Sequence, residues 1–359
     1  MSDRNGPSVS ERERLSSPTE LPVVKRLSAF DDASCFGIVA YDRPGTGYAH
    51  MVEALHLNYA LGLLTETVDA NLVEFNRRGL LTDVVVVDVL ADADVNACAW
   101  QKAGCDVVLF NAGLCLCLKF LFDHVVRFTD VFDWVEPEGR GRTPPWRWSR
   151  VPTRFSQMLE EARRVERGRF EDGPVVNQTM SFAPIGLERL SLSRWLWEQS
   201  LQFVLCHELG HIVHGHTDFL FSTANGAPLT EMSQGGRDAE HRLRQELEAD
   251  CFATQLTFMP IVMRDLKGDG PEFLKNSDGD LNRLYYAWGF ALAGMFTVFA
   301  MAESGFTRSS FECPSDRTGL SDAFLKGRTT HPHPFVRLST QANYAVVNAF
   351  ELDPISWTV

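Results

Sequence analysis

Apolar residues recur at two periods along this chain, and the switches between them outline a fold. Across residues 50–77 they fall at helical spacing: Ala54, Leu57, Leu61, Leu64, Val68, Leu72 and Phe75 share one helix face. Residues 83–89 are a valine run, short and unbroken, as in a strand buried on both faces. Residues 95–99 and 105–110 read as two further strands around a turn at 101–104, and residues 114–126 return to helical character. A second helical run follows Ser191, its expected cap. It passes through Leu192, Trp195, Leu196, Leu201, Phe203, Val204 and Leu205 without a proline. Another helix is expected from about residue 236 to Met259, stopped by Pro260. Residues 284–302 carry no charge between Arg283 and Glu303. That length could span a bilayer, or form a central helix that is apolar all round because it is buried all round. The flanks are acidic rather than basic and no second span is evident, so a buried helix is preferred. The pattern predicts an α+β protein, mainly helical, with a small N-terminal β-sheet.

Punctuation divides the chain further. Residues 1–20 are rich in Ser, Glu, Arg and Pro and are expected to be a disordered tail. Residues 21–126 form an N-terminal α/β part, 127–190 an insertion, and 191–359 a helical part. Within the insertion, residues 134–155 hold Pro137, Pro144, Pro145 and Pro152 together with Trp134, Trp146 and Trp148. Such a loop can be a lid or a partner surface; packing of its tryptophans onto the core is preferred. Residues 268–280 are polar, and Asp278-Gly279-Asp280 lacks the rest of a calcium loop, so a turn is expected there.

Charge and cysteine narrow the setting. The formal charge of −13 over 359 residues disfavours nucleic acid and anionic membrane as partners. The eight cysteines lie mostly in apolar segments and show no zinc-knuckle spacing. With a polar N-terminus lacking a signal-peptide core, a reduced, cytoplasmic setting is expected, and membrane association is not favoured.

The chemistry concentrates in residues 206–216, Cys-His-Glu-Leu-Gly-His-Ile-Val-His-Gly-His. His207 and His211 are four apart, share a helix face and can grip one metal ion, while Glu208 can reach a water on it. Gly210 puts the smallest side chain beside the expected metal face, despite its helix penalty. Downstream, Glu246-Leu247-Glu248-Ala249-Asp250 places Glu246 and Asp250 one turn apart. Zn²⁺ held by two histidines lacks one protein ligand, which Glu246 completes. Asp250 can then accept the other ring N–H of a ligand, His207 being the preferred one. Glu248 points away, towards solvent or an ion pair. The metzincin continuation is absent, because His214 and Thr217 stand at its Gly and third-His positions. His214 and His216, with Gly215 between them, are expected to cap or follow the helix end. Cys206 and Cys251 adjoin these motifs but lie one residue off the ligand face, as small buried residues.

His-Glu-x-x-His followed by Glu-x-x-Ala-Asp resembles the gluzincin metallopeptidases, within them the HtpX and CAAX-protease-like families and the soluble ImmA/IrrE and Lit-type peptidases. Val95-Asn96-Ala97-Cys98-Ala99, then residues 105–110 and Gly113-Leu114, are similar to the segment ahead of the zinc helix in HtpX-like enzymes. His331-Pro332-His333-Pro334-Phe335-Val336-Arg337-Leu338 resembles their His-Pro-x-x-x-x-Arg element. The resemblance covers about residues 83–126 and 191–340. It implies a zincin-like fold, Zn²⁺, a protein or peptide substrate, and an intracellular endopeptidase using metal-activated water, with narrow regulatory or stress- and phage-response targets. His331 and Arg337 are then candidate electrophiles for the oxyanion; the alternative is a rigid turn and an Arg337–carboxylate pair. The strand at 105–110 or its hairpin partner could pair with an extended substrate. Two other functions stay open: a non-proteolytic zinc-binding interaction protein on this scaffold, and a membrane-bound processing protease. Glu208 argues against the first, since a structural site needs ligands but no base.

Overall fold

The computed structural model describes residues 23–25, 57, 59–71, 84–90, 94–102, 105–128, 130–135, 186–216, 237–274 and 281–304, and single residues 337, 340, 341 and 345. The expected tail at 1–20, Trp146, Trp148, Asp278, Asp280 and His331 lie outside them.

Four strands form one sheet: β1 (Val23–Lys25), β2 (Val84–Leu90), β3 (Ala97–Lys102) and β4 (Cys105–Asn111), in the spatial order β1-β2-β4-β3. The β1–β2 and β2–β4 pairs are parallel; β3 runs antiparallel to β4 with Ala97 opposite Phe110. Val85, Val86 and Val87 on β2 and Val107–Phe110 on β4 are all buried. Both faces are covered, which is why these strands read as apolar runs rather than as alternation. A helix, α1 (residues 59–71), lies between β1 and β2 in the chain and buries Ala60, Leu64 and Val68. The β3–β4 hairpin is tighter than the sequence suggests. Gln101 and Lys102 pair with Asp106 and Cys105, so β3 extends through two of the residues expected in the turn at 101–104. Strand β4 has a neighbour on each side and its ladder is full, so the 105–110 segment has no edge to offer a substrate.

The second helix, α2 (Ala112–Val125), starts directly from β4 and is buried along most of its length. It packs against α3 (Leu187–Val213), which in turn contacts α4 (Arg237–Leu266) and α5 (Asn282–Ser304). Enclosed by neighbours, α3 is apolar on most sides, and its histidines sit at the end of a buried rod. It begins at Gly186, not at Ser191. The Ser191 hydroxyl donates to Leu187 O at 2.9 Å inside the first turn. The early start is anchored by buried Arg189, which donates to Val126 O at 2.7 Å and Val135 O at 2.9 Å beyond α2.

Helix α4 also departs from expectation, because it runs through Pro260. Proline forfeits one backbone bond, but Phe258 and Val262 on either side stay buried and keep the helix on the core. The stop is Gly268, at φ 78°, where Asp269 N–H donates back to Arg264 O at 2.9 Å. Helix α5 is long and apolar enough to cross a membrane, and 67% of its apolar window is buried inside the protein. A Cβ on Gly294 would come within 2.8 Å of the Phe122 ring, so that glycine lets α2 approach. Ser200 of α3 donates to Ala291 O of α5 at 3.0 Å. Trp134, partly buried, packs edge-on to Phe132 and Tyr286, as preferred for the insertion's tryptophans; Trp146 and Trp148 lie outside the described residues.

Candidate metal centre

The site lies where α3 and α4, which pack against each other extensively, come close at Gly210. A Cβ built on Gly210 would lie 3.1 Å from Ala249 Cα and 3.3 Å from Phe252 Cδ1. Gly210, next to His211 in the chain, therefore faces Ala249 on the neighbouring helix, and its small size lets the helices come this close. Ala249 completes the contact from α4. Either side of it, Glu246 and Asp250 are carried up against His207 and His211.

The resulting distances can be tested against a metal. His207 Nε2 and His211 Nε2 are 3.1 Å apart. Glu246 places Oε2 3.4 Å from His207 Nε2 and Oε1 3.4 Å from His211 Nε2. Two ligand atoms about 2.0–2.1 Å from a tetrahedral zinc are themselves about 3.3–3.4 Å apart. The triangle thus has the dimensions of one face of a zinc polyhedron, and among the described residues these three could hold a metal ion. Glu208 follows His207 on α3 and is half-buried.

His207 is oriented from behind. Its Nδ1 lies 2.8 Å from Asp250 Oδ1, and Asp250 is fully buried. Arg337 grips the same carboxylate with both arms of its fork, Nε to Oδ2 at 2.8 Å and Nη2 to Oδ1 at 2.6 Å. The guanidinium also lies over the Phe296 ring of α5, at 4.7 Å. One turn further along α4, Thr254 donates to Gln341 at 2.7 Å, a second tie to the same C-terminal segment. Of the two readings of Arg337, the geometry provides the carboxylate pair: Nε and Nη2 face Asp250, and Nη2 also lies 3.7 Å from Glu246 Oε2.

The electrostatics agree with a cation site. Burial pushes the His207 imidazole down, but hydrogen bonds to Asp250 and Glu246 and their charges outweigh it and hold its pKa up at about 10. Burial works to raise the Asp250 carboxyl, yet Arg337 and His207 keep it below its ordinary value. Two carboxylates converging on one imidazole create a demand for positive charge, from a proton or a metal. Cys206 is unsuited to join as a thiolate, since burial raises its thiol to about 12.

One arrangement was missed by sequence reasoning. His214 is the C-cap of α3, as expected, but His216 turns back into the site. Gly215 adopts φ 71°, and the chain reverses so that His216 Nδ1 comes 3.0 Å from His211 Nδ1. His216 is buried, and its Nε2 lies 3.3 Å from Glu248 Oε2. Burial, His211 and His214 lower its pKa to about 4, against the pull of Glu248. Glu248 is half-exposed and pairs with Arg244 at 3.4 Å, but it also faces this chain. The available signal was Gly215, a left-handed position inside a His-x-x-His-Gly-His string.

The fold and this cluster define a mainly helical α+β protein with a candidate metal centre between two helices. The family model described as Peptidase U49 matches residues 194–310, from the first third of α3 to just beyond α5. The match supports a peptidase, and with it a protein substrate. Comparison with curated proteins and with solved structures finds no match.

Proposed function

We propose that the chain is an intracellular zinc-dependent endopeptidase. The observation carrying this reading is the 3.1–3.4 Å triangle of His207, His211 and Glu246, set in a segment that a peptidase family model matches. These three residues would hold the ion. When bound, zinc would supply a Lewis acid that polarises a peptide carbonyl and lowers the pKa of water to about 7. Glu208 takes the water's proton as the carbonyl carbon is attacked, then passes it to the leaving amine, acting as base and afterwards as acid. Asp250 accepts a hydrogen bond from the Nδ1–H of His207 and so keeps that proton there, leaving Nε2 free as a ligand. Arg337 serves this step by fixing Asp250, and with its fork engaged there it acts as a positioning residue. His331, outside the described residues, stays the candidate for oxyanion stabilisation. Strand β3 packs against α3 and has no strand on its outer side among the described residues. An extended substrate can add there, in β-strand pairing. The buried free thiols Cys115, Cys117 and Cys206 suit a reducing cytoplasm.

The test is Glu208→Gln. The variant is expected to keep one zinc per chain and to generate none of the new protein N-termini produced by the native chain in a proteome digest. Native protein that binds no zinc, or a variant that cleaves as well as native, would overturn the assignment. A variant and native chain that both bind zinc and both cleave nothing would favour the interaction-protein reading.

A further inference from the structure

We infer that His216 and Glu248 form a relay that sets the tautomer and ring orientation of His211, making both of them positioning residues for the metal centre. The inference rests on the metal reading of His211 and goes beyond it. Its logic is a count of protons. A ring nitrogen that binds a metal carries no proton, so a neutral ligand histidine must carry its proton on the other nitrogen. His211 aims Nε2 at His207 and Glu246. Its proton therefore sits on Nδ1, which can only donate. The atom 3.0 Å away is His216 Nδ1, which must then accept. His216 is in turn left with its proton on Nε2, the nitrogen that faces Glu248 Oε2 at 3.3 Å. Each link leaves one choice for the next, and the carboxylate at the end holds both rings in register.

The backbone is built for this. His216 lies five residues after His211, off its helical face, and reaches it only because Gly215 takes the left-handed conformation just past the end of α3. Two residues of α4 thus serve the two ligands of α3 by different routes. Asp250 contacts His207 directly. Glu248, on another face of α4, reaches His211 through an intervening imidazole. Partners of this kind, one bond removed from a metal, typically change metal affinity by about 10–100-fold when removed.

Zinc dissociation constants of the full-length chain, measured by chelator competition, test the relay, together with the visible spectrum of the cobalt-loaded protein. His216→Leu removes the acceptor and is expected to weaken zinc binding about 10–100-fold and to alter the cobalt bands. His216→Asn places an oxygen near the former Nδ1 and should restore most of the affinity and the native cobalt spectrum. A merely structural role for the ring would not give that rescue. Glu248→Leu, at a half-exposed position, should weaken zinc binding severalfold and decides the matter if His216→Leu fails to fold. Unchanged zinc affinity in His216→Leu, or in Glu248→Leu when it must decide, overturns the relay. So does an Asn variant no better than Leu. His207→Ala is the control. Native protein that binds zinc no better than this control overturns the metal reading itself; native protein that binds tightly while the relay variants match it overturns the relay alone.

Discussion

His207 and His211 stand one turn apart on the same face of the same helix, yet the protein holds them in opposite ways. Behind His207 is a closed stack: Asp250 fully buried, the Arg337 fork, then the Phe296 ring. Behind His211 is an open path through His216 to Glu248, whose side chain is 47% exposed. The difference is one of dielectric surroundings. A carboxylate and guanidinium out of water are strongly coupled, and neither tolerates loss of the other. A carboxylate at the surface adds little to folding stability. One candidate ligand is thus locked into the folding of the protein, while the other is approached from its surface.

The largest effect should come from breaking the closed side. Asp250→Ala removes the carboxylate that takes both arms of the buried Arg337 fork and is expected to cost about 3–5 kcal/mol. Glu248→Ala should stay within about 0.5 kcal/mol, as for most surface changes. Urea unfolding of the two metal-free variants makes the comparison, and equal losses would erase it. Next comes the helix contact that serves both sides. Gly210→Leu drives a side chain into Ala249 and Phe252 and should destabilise by about 1–3 kcal/mol, with zinc affinity falling as Glu246 is moved away. Thermal melting and chelator competition on the same samples would show whether the two losses travel together.

A smaller effect should fall on the open side alone. Gly215→Val must adopt a left-handed conformation costing roughly 1–2 kcal/mol. It should weaken zinc binding by misplacing His216 while leaving the Asp250–Arg337 pair intact. A double-mutant cycle between positions 215 and 337, showing additive stability losses, checks that independence. The smallest effect separates the site from the core beneath it. Cys115 and Cys117 are buried, and the Cys115 thiol is raised to about 12 by burial. Neither should be alkylated by iodoacetamide at pH 8 in the native protein, and both should be alkylated in urea, as read by peptide mass.

Much of the scaffold is visible in the pattern of residues because its causes are local. The valine run of β2, the strand-to-helix switch near Asn111 and the apolar run of α3 each announce an element within a dozen residues. The i, i+4 spacings of His207 with His211 and of Glu246 with Asp250 likewise follow from helix geometry alone. Other features were hidden because their cause lies elsewhere in the chain. Pro260 looks like a stop, but burial of Phe258 and Val262 carries α4 past it to Gly268. Ser191 looks like a cap, but Arg189 draws the helix start back to Gly186 through carbonyls about sixty residues away. The 105–110 strand reads as open to a partner, but β2 and β3 flank it.

Which residues share a face is decided by spacing, since 3.6 residues per turn is a property of the backbone and needs no neighbours. Which faces meet is a different matter. Gly210 against Ala249 sets the approach of α3 to α4, and Arg337 reaches Asp250 across 87 residues of chain. Those contacts depend on packing and burial, which act between segments the sequence keeps far apart. Local periodicity therefore specified the two pairs of candidate ligands and supports, and only the tertiary structure brought them to within 3.4 Å of one another and assigned each histidine its partner.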